Sequence, residues 1–531
     1  MAKAGDDYFR FCPGEELIKI SDAVCLGRRR AGFVKCPGCQ FNDDERGTQP
    51  FEATVVGRRI LPAAMHVRTD DVEGLDKVFK AYDVRAIYPD PLNEDIAWRI
   101  GNATAQFLRS ALTGYNRSDT GMNTLIVGRD MRKSSPSLMQ GFVDGATSIG
   151  TEVIDIGMID TSQIYFATNL LSCCGGVQVT ASHNPSNYNG FKICGVKGKP
   201  IGAESGLNEI QRIAKATTRY ESSDRGKVTK RDLSREYRAH MHKFMVEPRP
   251  MKIVVDASNG MAGRWFPILF DGVPNLEVVK LNFSHEGEFV HPPNPLVEAN
   301  LTQLKRAVRE YKADFGACFD GDADRCIFVD ETGTTCRCDL VTALFAQEYL
   351  RDNAGATVVY DLRSSRAVPE TIRKFGGVPK RERVGHVFMK RAMAESNGVV
   401  GGELSGHFYF RDFYYCDSGM LSFVAVLNVL TRTGRTLSQL LAPFATFASS
   451  GEQNFENADK EGTFKKIMDK YRAGQIDTLD GVTVDFPDWW FNIRASNTEP
   501  LLRLNMEAQT PALLEKKLAE LTPLLGHPVA H

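Results

Sequence analysis

Gly176-Val177-Gln178-Val179-Thr180-Ala181-Ser182-His183-Asn184-Pro185 carries more of the fold and chemistry of this chain than any other stretch. The apolar run 176–179 reads as a short strand, and Ser182 stands just past its end. Five residues beyond the proline, Gly190-Phe191-Lys192 brings a turn and an ammonium group to the same neighbourhood. An unactivated serine is a poor nucleophile and needs a base or a positive field beside it. His183 is adjacent, but neighbours on a strand point to opposite faces, so it need not be that base. Lys192 is the better-placed cation. The competing reading is an ordinary strand end. The Asn184-Pro185 and Asn189-Gly190 turns, which fold the backbone tightly around the serine, favour a site.

Outward from this point, β-branched runs alternate with amphipathic helical patterns from about residue 77. Strands are expected at Thr124–Val127, Val177–Thr180, Lys252–Asp256, Phe315–Phe319 and Thr357–Asp361. Asn93 caps a helix that opens with Glu94 and Asp95, acids that suit the positive end of its dipole. Leu301, Leu304, Val308 and Tyr311 recur at helical spacing and predict one apolar face. Thr510 and Pro511 open a last helix with Leu514, Leu518 and Leu521 on one side. The alternation argues for parallel sheets covered by helices, in which ligands collect at the carboxyl ends of strands. Polar stretches at Thr217–Gly226, Glu331–Arg337 and Ser449–Glu461 read as seams. No internal repeat shows in residue identity.

Asp320, Asp322 and Asp324 alternate in Asp320-Gly321-Asp322-Ala323-Asp324-Arg325. Three carboxylates so placed need a hard cation or several basic groups. An EF-hand loop is the rival, but Arg325 takes its glycine position and a strand precedes it. A solvated acidic turn is the other alternative. Gly401-Gly402-Glu403-Leu404-Ser405-Gly406-His407 offers a carboxylate, a hydroxyl and an imidazole that can bond sugar hydroxyls; alone it is a common kind of loop. Arg494-Ala495-Ser496-Asn497-Thr498-Glu499-Pro500, followed by Arg503, supplies phosphate donors, against the alternative of a plain surface turn.

At 531 residues the chain needs several cores. Its 65 basic and 66 acidic side chains nearly cancel, which gives no electrostatic case for nucleic acid or an anionic membrane. No apolar stretch is long enough to span a bilayer, and the polar N-terminus reads against a signal peptide. Twelve cysteines, several in apolar runs, fit a reduced cytoplasmic protein. Residues 1–76 differ from the rest. Cys12, Cys25, Cys36 and Cys39 could hold a tetrahedral zinc, with only Cys36-Pro37-Gly38-Cys39 spaced as a knuckle. The alternative is an extension with unligated thiols.

The four motifs, in this order, resemble the α-D-phosphohexomutase superfamily, and within it the bacterial phosphomannomutase/phosphoglucomutase branch. The likeness runs from Val78 to Ala508 and includes Phe79-Lys80-Ala81-Tyr82-Asp83-Val84-Arg85, Val127-Gly128-Arg129-Asp130 and Val384-Gly385-His386. It implies four domains around a central cleft: three similar mixed α/β units, a smaller C-terminal α+β domain, and here an extra N-terminal extension. The expected spans are 1–76 for the extension, 77–225 for the phosphoserine domain, 226–335 for metal, 336–450 for sugar and 451–531 for phosphate. By the same likeness Ser182 is the phosphorylated serine, and Asp320, Asp322 and Asp324 hold Mg2+ together with its phosphate. Arg85, Lys192, Arg325 and His407 surround the reacting oxygens, with Lys192 and His407 as acid and base candidates. His183, His386, Glu403 and Ser405 meet the sugar; Arg494, Ser496, Asn497, Thr498 and Arg503 grip the phosphate that does not react.

The implied reaction interconverts mannose 6-phosphate and mannose 1-phosphate, and glucose phosphates too, with hexose 1,6-bisphosphate as intermediate and activator. Phosphoglucosamine mutase, a phosphoserine-dependent phosphatase and a non-catalytic sugar-phosphate adaptor are the alternatives. Hexose phosphates are the expected partners, without nucleic acid or membrane, for a monomer or weak homodimer. Ala86 and Ala323 replace glycines usual in the family, which is minor where the backbone is right-handed. Ser162 stands where proline is frequent.

Overall fold

The computed structural model describes residues 9–11, 19–21, 69–112, 120–220, 223–496 and 501–529. Contacts divide the chain into two compact units, residues 1–66 with 220–224, and residues 67–219 with 225–531. In the first unit Phe9–Phe11 pairs antiparallel with Lys19–Ser21. Cys12, Cys25, Cys36 and Cys39 lie outside the described residues.

Among the described residues, the second unit holds four sheets. The first runs in the order Val84–Ile87, Tyr188–Gly195, Gly175–Val179, Thr124–Arg129, Glu152–Met158 and Val228–Lys230. The last of these strands lies past the polar stretch 217–226 and still pairs with the first sheet. The second sheet is Leu276–Leu281, Met251–Asp256, Phe315–Phe319 and Cys326–Asp330. The third is Val378–Glu382, Thr357–Asp361, Val400–Gly402, Phe408–Phe410 and Cys416–Asp417. Each has a parallel centre, and in each the chain leaves that centre through an antiparallel hairpin. The fourth sheet, from Gln475–Asp477 to His527–Val529, is antiparallel throughout.

The three hairpins explain where the motifs lie. Ser182 falls between strands 175–179 and 188–195, the aspartates between 315–319 and 326–330, and Glu403–His407 between 400–402 and 408–410. A repeat unseen in residue identity is therefore plain in the backbone. The same turn recurs where the central strands end. Arg132 N donates to Asp130 Oδ1 at 3.0 Å, Ser258 N to Asp256 Oδ1 at 2.9 Å, and Arg363 N to Asp361 Oδ1 at 2.8 Å.

Local signals behave as their chemistry requires. Asn93 caps the helix Glu94–Ser110 by accepting from Ile96 N at 2.9 Å, and Thr510 caps Pro511–Leu521 by accepting from Leu513 N at 3.2 Å. On the helix Thr302–Tyr311 the inward stripe is Leu304, Ala307 and Val308, with Leu301 just before it. Tyr311 is 50% exposed: it ends the helix before left-handed Lys312, and the core takes Ala307 instead. The polar stretch Ser449–Glu461, read as a seam, carries regular structure. Ala448–Glu456 is a strand and Lys460–Lys470 a helix capped by Asp459. One residue of that strand, Glu452, belongs to the site described next.

Candidate active site

Ser182 is fully buried, with φ at +50° in a turn beyond the strand, so the alternation argument against His183 does not apply there. Its Oγ donates to Asp320 Oδ2 at 2.9 Å and lies 3.5 Å from His183 Nδ1. A side chain is in the left-handed region only where its surroundings hold it. Arg132 does so from beneath: its guanidinium donates to the carbonyls of Ser182 at 2.9 Å, Asn184 at 2.7 Å and Tyr188 at 3.1 Å. Asp130, fully buried, pairs with Arg132 at 3.1 Å and accepts from Thr180 at 2.7 Å. Removing one partner of such a buried pair costs about 3–5 kcal/mol.

The metal-loop motif reaches the serine from the second domain. A Cβ on Gly321 would lie 2.3 Å from Ser182 O, so only glycine lets the loops approach. Asp320, Asp322 and Asp324 are buried, with ligand atoms within 4.8 Å of one another. Lys192 Nζ donates to Asp322 at 2.7 Å and Asp324 at 2.5 Å; Thr161 donates to Asp322 at 2.5 Å. Asp322 Oδ1 is buried with no hydrogen-bond partner, an orphaned acceptor that a hard divalent cation fits. Strands on both sides of the loop exclude an EF-hand.

Charge crowding moves these groups apart. Burial, with Asp324 and Asp322 alongside, pushes the Asp320 carboxyl well above the usual carboxylate range. Burial works the same way on Asp324, but Lys192, His407 and Arg325 overcome it and hold that carboxyl well below. For Lys192 burial disfavours the ammonium, yet Asp322, Asp324 and Asp320 keep its pKa above that of free lysine. Burial, then Arg325, Arg85 and Lys192, lower His183; burial, then Lys390 and Lys192, lower His386. Both imidazoles are neutral at pH 7.

Arg85 donates to Asn184 at 2.8 Å beside the serine turn and pairs with Asp83; Arg325 N donates to Asp320 Oδ1 at 3.2 Å. His407 Nε2 lies 3.4 Å from Asp324 and 3.8 Å from Asp417, and its Nδ1 2.8 Å from Ser405 Oγ. Ser405 gives its proton to Glu403 at 2.7 Å, and Tyr409 donates to the other Glu403 oxygen at 2.8 Å. Ser405 can then only accept from His407 Nδ1–H, which leaves Nε2 as the ring nitrogen facing Asp324 and Asp417. His386 opens the helix His386–Glu395, its ring stacked 6.3 Å from that of His407.

The distal end of the cleft is basic. Arg494 and Arg503 are direct cross-strand partners, a pairing that like charges destabilise unless an anion intervenes. Glu452 intervenes, at 3.1 Å from Arg494 Nη2 and 3.1 Å from Arg503 Nη1. Arg363, from the third domain, reaches it at 3.4 Å. Burial would raise the Glu452 carboxyl, but Arg363, Arg494 and Arg503 bring it down to about 2. Ser496 N donates to Leu501 O at 2.8 Å; Asn497 and Thr498 lie outside the described residues. Asp361 joins this end to the sugar loop by accepting from Arg363 and, at 2.8 Å, from Leu404 N.

Arg132, Thr161, Arg363 and Glu452 were not legible as site residues. A signal for two of them exists: Asp130-Met131-Arg132 and Asp361-Leu362-Arg363 are the same triplet at equivalent strand ends. Ala323 also needs correction, because its φ is +58°, left-handed rather than right-handed. Ala86 lies in an extended strand, and Ser162 opens a helix at the position proline favours.

A nucleophilic hydroxyl against a carboxylate cluster, faced by an arginine cluster on another domain, defines a phosphoryl-transfer enzyme of four domains. Sequence models of the phosphoglucomutase/phosphomannomutase α/β/α domains I, II and III match residues 76–221, 235–333 and 338–447, and that of the C-terminal domain matches 452–523. A phosphomannomutase of Vibrio cholerae is 38% identical over 460 residues, covering 84% of this chain and 98% of that one. Phosphohexose mutases of Xanthomonas campestris are 39% identical over 454 residues, with the same coverage. A solved phosphoglucomutase/phosphomannomutase family protein of Burkholderia thailandensis superposes with a TM-score of 0.74 at 31% identity, over 84% of this chain and 96% of that one. The chain belongs to the phosphoglucomutase/phosphomannomutase family and is an enzyme of the phosphohexose mutase class. Among the described residues, no helix is long and apolar enough to cross a membrane.

Proposed function

We propose that the chain interconverts hexose 6-phosphates and hexose 1-phosphates, of mannose and glucose first, through phosphorylated Ser182. The observation that carries this is the pairing of Ser182 Oγ, 2.9 Å from Asp320 Oδ2, with a separate arginine cluster at the other end of the cleft. A hydrolase needs the first; only a mutase, which must hold one phosphate while the other reacts, needs both. The V. cholerae name supports mannose, and the X. campestris name a hexose.

In this reading Ser182 Oγ carries the phosphoryl group to a sugar hydroxyl and, after the bisphosphate has turned, takes the other one back. His407 Nε2, which lies 3.4 Å from Asp324 and 3.8 Å from Asp417, receives the hydroxyl proton. Lys192, bridging two carboxylates, is a fixed positive charge rather than a base. Arg85 and Arg325 flank the transferred group, while neutral His183 and His386 line the sugar space with Glu403 and Ser405. Asp320, Asp322 and Asp324 would hold magnesium, which offsets charge on the phosphoryl group when bound. Arg494, Ser496, Asn497, Thr498 and Arg503 would anchor the idle phosphate. Hexose 1,6-bisphosphate would restore phosphoserine whenever it is lost. The zinc reading of Cys12, Cys25, Cys36 and Cys39 rests on sequence alone, and metal analysis of the purified chain tests it.

Phosphorus NMR of the purified protein with magnesium and a trace of glucose 1,6-bisphosphate tests the reaction. Mannose 1-phosphate and glucose 1-phosphate are expected to convert to 6-phosphates, losing rate on chelation. Fastest conversion of glucosamine 1-phosphate would reassign the sugar. Inorganic phosphate as sole product would overturn the mutase reading.

A further inference from the structure

Glu452 stands where the reading above would put a phosphate. It follows Gly451, whose φ of +64° is left-handed, at a register shift of the strand Ala448–Glu456 between Ser449 and Glu452. Past the bulge Glu452 is back in register, opposite Asn505 and two residues before Asn454, the partner of Arg503, so its carboxylate shares a sheet face with the arginines. Glu452 meets Arg494 and Arg503 at 3.1 Å each, Arg363 at 3.4 Å and Asn505 at 3.4 Å. Its side chain is 20% exposed, whereas Arg363 and Arg494 are 8% and 6% exposed. Arg503, at 24%, is the open side of the cluster, so solvent reaches Glu452 and Arg503 while the other two guanidinium groups stay buried.

We propose that Glu452 is an internal stand-in for the substrate's idle phosphate, its carboxylate leaving the forks of Arg363, Arg494 and Arg503 as that phosphate enters and returning as it departs. The proposal rests on the arginine cluster being the distal phosphate site. Guanidinium forks take carboxylate and phosphate oxygens with the same geometry, so one anion replaces the other without rebuilding the site. Release of the bisphosphate for its turn would otherwise strand three crowded, poorly hydrated cations. The returning carboxylate satisfies them, so the grip is weakened on purpose and each half-reaction can let go. Arg363 belongs to the exchange because it comes from the third domain, so the same carboxylate ties the fourth domain to it when no phosphate is held.

Inorganic phosphate is the probe, titrated by calorimetry and by thermal unfolding of the full chain without sugar. Glu452→Gln is expected to bind phosphate about tenfold tighter, the worth of one charge-assisted competitor. It should also show a larger phosphate-dependent rise in melting temperature, with KM for glucose 1-phosphate and kcat both reduced. The double variant Glu452→Gln/Arg503→Met should lose the tightening, which separates this end from the serine end. Unchanged or weaker phosphate binding in Glu452→Gln would overturn the proposal, since a mere brace for the arginines gives that result. So would a variant that stays unfolded in saturating phosphate. Glu452→Asp, which shortens the reach but keeps the charge, should tighten binding less than Gln; an equal or greater gain would count against exchange. Should wild type fail to isomerise hexose phosphates, the NMR assay reports it independently of these binding differences.

Discussion

The two ends of the cleft are built with opposite surpluses. At the serine end, three aspartates surround Lys192, with Arg325 beside them; at the distal end, Arg363, Arg494 and Arg503 surround Glu452. Each end leaves a surplus, negative at the first and positive at the second. They also differ in firmness. Ser182 and the aspartates are at most 1% exposed and sit on tight hairpins locked by Arg132 and the close approach at Gly321. Glu452 and Arg503 are 20% and 24% exposed, and the cluster draws on two domains. Bond-making needs groups that do not move, whereas a bisphosphate that must turn needs an anchor that lets go.

The largest effect should separate the ends outright. Ser182→Ala is expected to lower turnover by about four orders of magnitude or more while leaving phosphate binding at the arginine end intact. Mutase assay and calorimetry on one preparation check this, and loss of both would break the distinction. Arg503→Met should act the other way, raising KM for glucose 1-phosphate by about 10–100-fold with kcat much less affected, as loss of one charge-assisted contact dictates. A collapse of kcat alone would show the distal end taking part in chemistry.

Acid should loosen the distal end through Glu452. The Glu452 carboxyl is depressed to about 2, so its contribution is complete above the ordinary glutamate value and is lost as pH falls through about 2. The shift corresponds to at most about 3 kcal/mol. Denaturant midpoints of wild type and Glu452→Gln, measured without phosphate, should differ at pH 6 and draw together only as pH falls toward about 2. A gap independent of pH would deny the carboxylate its ionic role. Smallest is Ala323→Gly. Relief of a left-handed alanine should stabilise the metal loop by about 1 kcal/mol, read as a raised melting temperature with unchanged kcat.

What was legible followed from local chemistry. Strand ends at Val179, Asp256, Phe319 and Asp361 lie within a residue of where β-branched runs placed them, and capping at Asn93 and Thr510 is as their side chains require. Ser182, Lys192 and the three aspartates were readable because their types and spacing are costly unless used together. Glu452 was not: in a run of serine, glycine and glutamate it looks like linker, and only the strand opposite shows what it faces. Arg132 was hidden for a similar reason, since it binds carbonyls, which have no residue identity.

Sequence alone determined the elements, the order of the motifs and the family, because hydrophobic period, caps and turns act over a few residues. Only the tertiary structure decided that three hairpins from three domains converge, that Ser405 sets the tautomer of His407, and that an arginine of one domain shares a carboxylate with two of another. Those are contacts between residues tens to hundreds of positions apart, and their energies depend on distance and burial, which no local pattern records.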